Sequence, residues 1–350
     1  MHDKIKVGIT HGDYNGVGYE VILKALAGEE ILGLMTPVLF GSSDVAASTI
    51  KTLGIEGVHF SPVKTAADAR DGRINIVDVC SKTPEVNPGT PSPEAGKAAF
   101  EALNAAVRSL REGEIDVLVT APIDKNSIQS DEFKYQGHTE FLEQHVGGGE
   151  KSLMILFNDN LRVALVTIHL PISKVAENIT RQRVYDSIKA FDASLRRDFG
   201  IERPLIAVLG LNPHCGDRGM IGTEEYTAIL PAIDDSVEEG FLAFGPFAAD
   251  GFFATGKYRN YDGVLAMYHD QGLAPFKSIA ENKGVNFTAG LPIVRTSPDH
   301  GTGYDIAGKG EADPESMRNA IYNAIDIYRN RERYDDMTSN PLPSGRNQKS

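Results

Sequence analysis

Eight short apolar, β-branched runs recur along this chain with helix-length segments between them: KVGIT, PVLFG, RINIVDV, IDVLVT, SLMILF, RVALVTIH, LIAVLGLN and GVLAMY. Parallel neighbours need a long crossover that a helix supplies, so the alternation predicts a mainly parallel sheet and an α/β fold. The 350 residues are enough for two domains of ordinary size.

Thirty-five Lys and Arg against 48 Asp and Glu leave a formal charge of −13. That balance argues against a nucleic-acid backbone or an anionic membrane as partner, so an anionic substrate must be held by a few placed cations. The opening MHDKIKVGIT has no apolar core of the signal-peptide kind, and no apolar run approaches bilayer-spanning length; a cytoplasmic protein is expected. Cys80 and Cys215 lack CxxC spacing and read as incidental thiols. The Pro- and Gly-rich stretch 82–96 is a long loop of the sort that often serves function, ending in a helix start at Ser92-Pro93. The C-terminal RYDDMTSNPLPSGRNQKS lacks periodicity, and disorder is expected over most of it, 336–350 above all.

Three histidines share one context. His169 closes RVALVTIH, His214 follows LIAVLGLNP, and His269 closes GVLAMYH just before Asp270. Ligands of open parallel sheets bind beyond the carboxyl ends of the strands, where residues from separate strands can converge. Three neutral imidazoles around one point would suit zinc or another borderline divalent ion; singly, each would be an ordinary hydrogen-bonded strand-end residue. Asp270 is either a carboxylate that orients His269 or a solvated loop acid.

Gly137-His138-Thr139-Glu140 opens a helical segment, where a hydroxyl and free N–H groups could meet an anion or simply cap the helix. Lys277, Asn286 and Arg295 lie in a Gly-rich stretch with little regularity, Arg295 following LPIV as a cation at a strand end would. No GxGxxG occurs. Residues 303–310 nearly spell a P-loop, but Gly310 stands where Ser or Thr must meet magnesium and no strand leads in, so a P-loop kinase is rejected. The turn 10–18 is glycine-rich enough for a phosphate or merely for the turn.

Together GHTEF (137–141), TIHLP (167–171), LNPH (211–214), GTEE (222–225), YHDQG (268–272), GVN (284–286), RTS (295–297) and DHGT (299–302) resemble the 4-hydroxythreonine-4-phosphate dehydrogenase family of pyridoxal phosphate synthesis, over about residues 5–330. The resemblance implies His169, His214 and His269 as ligands of one divalent cation per subunit (Zn, Mg or Co), in a site shared across a homodimer interface. His138, Thr139, Lys277, Asn286 and Arg295 would hold a phosphorylated small-molecule substrate. The implied reaction is NAD-dependent oxidation of 4-phosphooxy-L-threonine at C3, then decarboxylation to 3-amino-2-oxopropyl phosphate. Lys125 and Asp270 are the candidates for proton transfer.

The wider superfamily, with isocitrate and isopropylmalate dehydrogenases, binds its dinucleotide through a segment similar to 300–310. His300, Gly301, Thr302, Asp305 and Ile306 would then hold the cofactor, with Asp305 on the adenosine ribose hydroxyls favouring NAD over NADP. The implied architecture is two α/β subdomains flanking a cleft: 1–128 plus 275–335 on the cofactor side, and 129–274 for metal and dimerisation. The sequence departs from the family pattern at Tyr14, Asn15, Tyr19 and Asp124. Two other readings are weighed: a D-threonate or D-erythronate 4-phosphate dehydrogenase of the same fold, and a sensor that has lost catalysis.

Overall fold

The computed structural model describes residues 4–80 and 85–340. The strands are β1 (Ile5–Thr10), β2 (Met35–Gly41), β3 (Phe60–Val63), β4 (Ile74–Asp78), β5 (Val117–Thr120), β6 (Leu153–Phe157), β7 (Arg162–Leu165), β8 (Leu205–Leu209), β9 (Leu242–Phe247), β10 (Gly263–Ala266), β11 (Val285–Ala289) and β12 (Arg295–Pro298). The helices are α1 (Gly18–Ala25), α2 (Glu29–Leu34), α3 (Ser43–Leu53), α4 (Pro93–Arg111), α5 (His138–Val146), α6 (Val175–Asn178), α7 (Arg181–Arg197), α8 (Leu230–Glu238), α9 (Ala249–Ala254), α10 (His269–Ala280) and α11 (Glu315–Thr338).

The strands form one 12-stranded sheet, β3-β4-β2-β1-β5-β12-β11-β6-β7-β10-β8-β9. The β3-to-β12 half is parallel throughout, and so is the β7-to-β9 end. Between them β11 runs antiparallel to both β12 and β6, and β6 antiparallel to β7. All eight apolar runs become strands, and those of β4, β7, β8 and β10 stop short of the carboxyl ends of their runs.

The stretch 272–297 holds more order than its sequence suggests. Lys277 sits in the last turn of α10, Asn286 in β11, and Arg295 opens β12 instead of ending an LPIV strand. The reason is tertiary: these short strands are completed by β5 and β6 on either side, not by their own periodicity. The expected division at 274/275 falls inside α10. At the C-terminus α11 continues to Thr338, so the disorder expected from Arg333 onward is corrected for 333–338. Asp335 pairs there with Arg197 of α7 at 2.7 Å, and one turn earlier the buried Arg331 meets Asp198 at 2.6 Å. Residues 341–350 lie outside those described, as do 81–84 of the long loop. Both cysteines are free thiols. Among the described residues no helix is long and apolar enough to cross a membrane.

Helix α4 shows how the sequence sets the local fold. The Ser92 hydroxyl accepts from Ala95 N–H, Pro93 takes the first turn, and a stripe of Ala95, Ala98, Ala99, Ala102 and Ala106 lets the helix lie close on the sheet. A Cβ on Gly96 would stand 1.9 Å from the Ser127 carbonyl oxygen, so the 124–128 turn rests directly on the helix start. Asp124 is spent on that turn, its Oδ1 accepting from both Ser127 N–H and the Ser127 hydroxyl at 2.7 Å.

The other departures from the family pattern also have structural work. The Tyr19 ring stacks on buried His11 at 5.1 Å, and its hydroxyl accepts from Ser42 N–H. Asn15 ties down the 87–92 loop, donating to the Thr90 carbonyl and accepting from Asn87 N–H, both at 2.8 Å.

Burial pushes the His11 imidazole down to about 4, so it folds as the neutral base. Its contribution is intact above pH 6.5 and is lost as pH falls from there toward 4, because the unfolded chain takes up a proton that the folded one refuses. Denaturant titrations of wild type and His11→Gln at pH 7.5 and 4.5 should show wild type losing on the order of 3 kcal/mol more than the variant; equal losses would contradict a buried neutral His11.

Candidate active site

Strands β7, β10 and β8 are adjacent and parallel, so the segments leaving their carboxyl ends emerge together. His169 follows β7, His269 opens α10 after β10, and His214 follows β8. The rings of His169 and His269 approach to 6.2 Å between centroids. His269 Nδ1 lies 2.6 Å from Asp270 Oδ1, which leaves its Nε2 as the free ring nitrogen. His169 Nδ1 faces Glu140 Oε1 at 4.0 Å. Burial first, then the charges of Lys125 and His269, hold the His169 pKa below its usual value against the opposing pull of Glu140.

His214 stands apart from that pair. It lines a second cavity with Asn212, Asp250, Phe253, Tyr268 and Gln271, and only Tyr268 borders both. By donor chemistry, two imidazoles with part-exposed rings fit a borderline divalent ion. Among the described residues, however, no group of three or more His, Cys, Asp or Glu is close enough to hold one. A single chain therefore brings together two of the three expected ligands.

The clearest electrostatic feature lies at Arg295. Its side chain is buried, yet it has hydroxyl partners only: Nε and Nη2 donate to Thr120 Oγ1 at 3.0 and 2.5 Å, and Nη1 to Thr288 Oγ1 at 3.1 Å. Desolvation lowers its pKa to about 10, opposed by the more distant charge of Glu140. His138 at the start of α5 is held well below its ordinary value, by burial first and then by the charges of Arg295 and Lys125. Its buried Nε2 has no hydrogen-bond partner, and neither has buried Oδ1 of Asn286, which shares a face of β11 with Thr288. A buried cation whose hydrogen-bond partners among the described residues are hydroxyls, beside unsatisfied polar atoms, is the arrangement a phosphate would complete. Thr139 follows His138 in the first turn of α5, where free N–H groups favour negative charge.

Lys125 connects the two clusters. Its Cε lies 3.8 Å from where a Cβ on Gly137 would sit, and its charge reaches both His138 and His169. Asp270 is 83% exposed and engaged with His269, an orienting position. Lys277 is placed elsewhere than its four companions: its ammonium pairs with Asp299 at 3.2 Å on the wall of a cavity of about 300 Å³.

That cavity is built from the segment expected to hold the dinucleotide. His300, Gly301 and Ile306 line it with Val17, Val21 and Asp313. Gly301 has open space where a side chain would go, and buried Nε2 of His300 lacks a partner, so the walls fit a nucleotide. The Thr302 carbonyl accepts from Val17 N–H at 2.8 Å and the Tyr304 hydroxyl donates to Asp13 at 2.8 Å, clipping the segment to the β1–α1 turn. Asp305 is exposed and does not line the cavity; Asp313 does. Sequence reasoning did not single out Asp313, and it quoted Asp299 in the DHGT motif without giving it a role. Glu140 lay inside the GHTE motif without a role.

A buried guanidinium cluster and a histidine pair linked through Lys125, with a separate cavity of about 300 Å³, lie on one α/β scaffold. The comparisons resolve the family: the model for "Pyridoxal phosphate biosynthetic protein PdxA" matches residues 33–324, and the chain belongs to that family. A 4-hydroxythreonine-4-phosphate dehydrogenase of Bacteroides thetaiotaomicron is 53% identical over 340 residues, covering 97% of this chain and 93% of its own. An Oceanobacillus iheyensis protein provisionally named D-threonate 4-phosphate dehydrogenase is 38% identical, covering 93% and 99%. The crystal structure of 4-hydroxythreonine-4-phosphate dehydrogenase from Klebsiella pneumoniae superposes with a TM-score of 0.80 at 33% identity, over 93% of this chain and 98% of that one. The protein is an oxidoreductase.

If the cradle is an anion site, Arg295→Met should leave the ligand-free protein folded while inorganic phosphate no longer raises its melting temperature. In wild type, phosphate at ten times its Kd should add about 1.4 kcal/mol of stability. Equal phosphate stabilisation of both proteins in a thermal-shift titration would place the anion elsewhere.

Proposed function

We propose that the protein oxidises 4-phosphooxy-L-threonine at C3 with NAD, giving 2-amino-3-oxo-4-phosphooxybutanoate, which loses CO₂ to form 3-amino-2-oxopropyl phosphate in pyridoxal 5'-phosphate synthesis. The observation that carries this reading is the buried, carboxylate-free guanidinium of Arg295 beside the unpartnered atoms of His138 and Asn286. They bind and orient the phosphate, and orientation of the reacting carbon is worth several kcal/mol of barrier. Lys277 and Asp299 pair on the wall of the cavity this reading assigns to the dinucleotide.

A divalent cation, when bound, supplies Lewis-acid polarisation of the C3 oxygen. His169 and His269 are placed to hold it, Asp270 fixes the His269 ring, and His214 would join them from a moved loop or a second chain. Lys125, between His138 and His169, is placed to move the hydroxyl proton. Bound NAD would supply the hydride acceptor, and the Asp313 carboxylate on the cavity wall, with Asp305 outside that cavity in the adjoining turn, would disfavour the 2'-phosphate of NADP. The same reading takes residues 1–128 with 275–335 as the cofactor side and 129–274 as the metal and dimerisation side.

A cytoplasmic homodimer completes the proposal. Ile172 is 72% exposed next to the His169 loop and Met220 84% exposed next to the His214 loop, apolar surface that a second copy would cover. D-threonate 4-phosphate, with a hydroxyl in place of the C2 amino group, is the second reading, favoured by the name of the Oceanobacillus relative.

With NAD and a divalent ion, absorbance at 340 nm should rise on 4-phosphooxy-L-threonine and much less on D-threonate 4-phosphate. The reverse preference would establish the second reading, and no NADH from either would refute both. Lys125→Met should lower kcat by roughly 10²-fold with a small change in KM, as loss of a proton-transfer group does.

A further inference from the structure

Five consecutive residues, His214 to Arg218, adopt left-handed backbone angles, with φ of 53°, 53°, 77°, 40° and 56°. Only Gly216 takes such angles without steric strain, so the surroundings must impose this shape on the other four. A buried carboxylate braces the residue at the entry to the turn. Glu225 is 2% exposed, and its Oε1 accepts from Asn212 N–H at 2.7 Å while Oε2 accepts from Asn212 Nδ2 at 3.0 Å. Glu224 accepts from the same Asn212 amide at 2.8 Å. A Cβ on Gly216 would lie 2.8 Å from Glu225 Oε2, and one on Gly222 would lie 2.3 Å from Asn212 Nδ2, so loop and brace are in close contact. Glu225 opens a π-helical turn, Glu225–Ile229, of the kind that recurs at functional sites.

We propose that Glu225 is the positioning residue for His214. Its carboxylate locks Asn212, and Asn212 fixes the start of the left-handed turn that presents the imidazole. The proposal rests on His214 being a metal ligand, and it gives the GTEE motif a task distinct from binding substrate. Glu225→Gln preserves shape but replaces one acceptor oxygen by a donor facing Asn212.

The test uses the full-length protein and zinc alone as probe. Two readouts apply: the Zn²⁺ Kd by calorimetry, and the iodoacetamide labelling rate of Cys215, resolved from Cys80 by peptide mass spectrometry. Glu225→Gln should bind zinc on the order of tenfold more weakly and label Cys215 faster, with NADH affinity at the remote cavity unchanged. Asn212→Ala should do the same and serves if the first variant does not fold. Wild-type zinc affinity and labelling in both variants would overturn the brace, as would a loss of zinc affinity matched by an equal loss of NADH affinity, the mark of a merely structural defect. His214→Ala separates the two layers: wild-type zinc affinity there would refute the ligand role itself, and the brace proposal with it.

Discussion

A guanidinium taken out of water needs a counter-charge, and Arg295 has none among its hydrogen-bond partners. The desolvation cost of such an ion is several kcal/mol, more than neutral hydroxyls return. The sheet accepts that cost at one place, where β12 lies between β5 and the reversed β11. The reversal gives Arg295 a threonine from each neighbour, Thr120 and Thr288, and puts Asn286 on the same face as Thr288. The antiparallel centre of an otherwise parallel sheet is thus the scaffold of the proposed anion cradle.

From that cradle the other functional groups are arranged by charge. Burial first, then the charges of Arg295 and Lys125, hold His138 below its ordinary pKa, and burial with Lys125 does the same for His169, so both imidazoles retain lone pairs for ligands near pH 7. Glu140 is the nearby acid that moderates this positive field. The left-handed turn at His214 is a second place where local stability is surrendered, at about 1–2 kcal/mol for each of its four non-glycine residues. Strain of that size persists only where neighbouring contacts fix the backbone, as the buried Glu225 does here.

The α/β class and eight of the strands were legible because strands buried on both faces, seven of these with a parallel neighbour and β6 with none, need continuous apolar runs. Strands β3, β9, β11 and β12 were not, being short segments such as RTSP and FSPV that borrow their hydrogen bonds from neighbours. Among site residues, His138, Asn286 and Arg295 were legible through motifs, and the structure brings them together. The pairing of Lys277 with Asp299 was hidden, since it joins residues on separate elements. Asp305 read as the ribose carboxylate, while the cavity wall carries Asp313, a difference set by how the 303–310 turn folds. What the departures at Tyr14, Asn15, Tyr19 and Asp124 do was not legible in the sequence. The structure gives Asn15, Tyr19 and Asp124 partners in packing and turns, and buries Tyr14.

Where the substrate phosphate sits decides the account most directly. A crystal structure with 4-phosphooxy-L-threonine bound should show phosphate oxygens within hydrogen-bond distance of the Arg295 guanidinium, His138 Nε2 and the Asn286 amide, with C3 turned toward His169 and His269. A phosphate held instead at the 10–18 turn or inside the dinucleotide cavity, with Arg295 still bonded only to its two threonines, would contradict it.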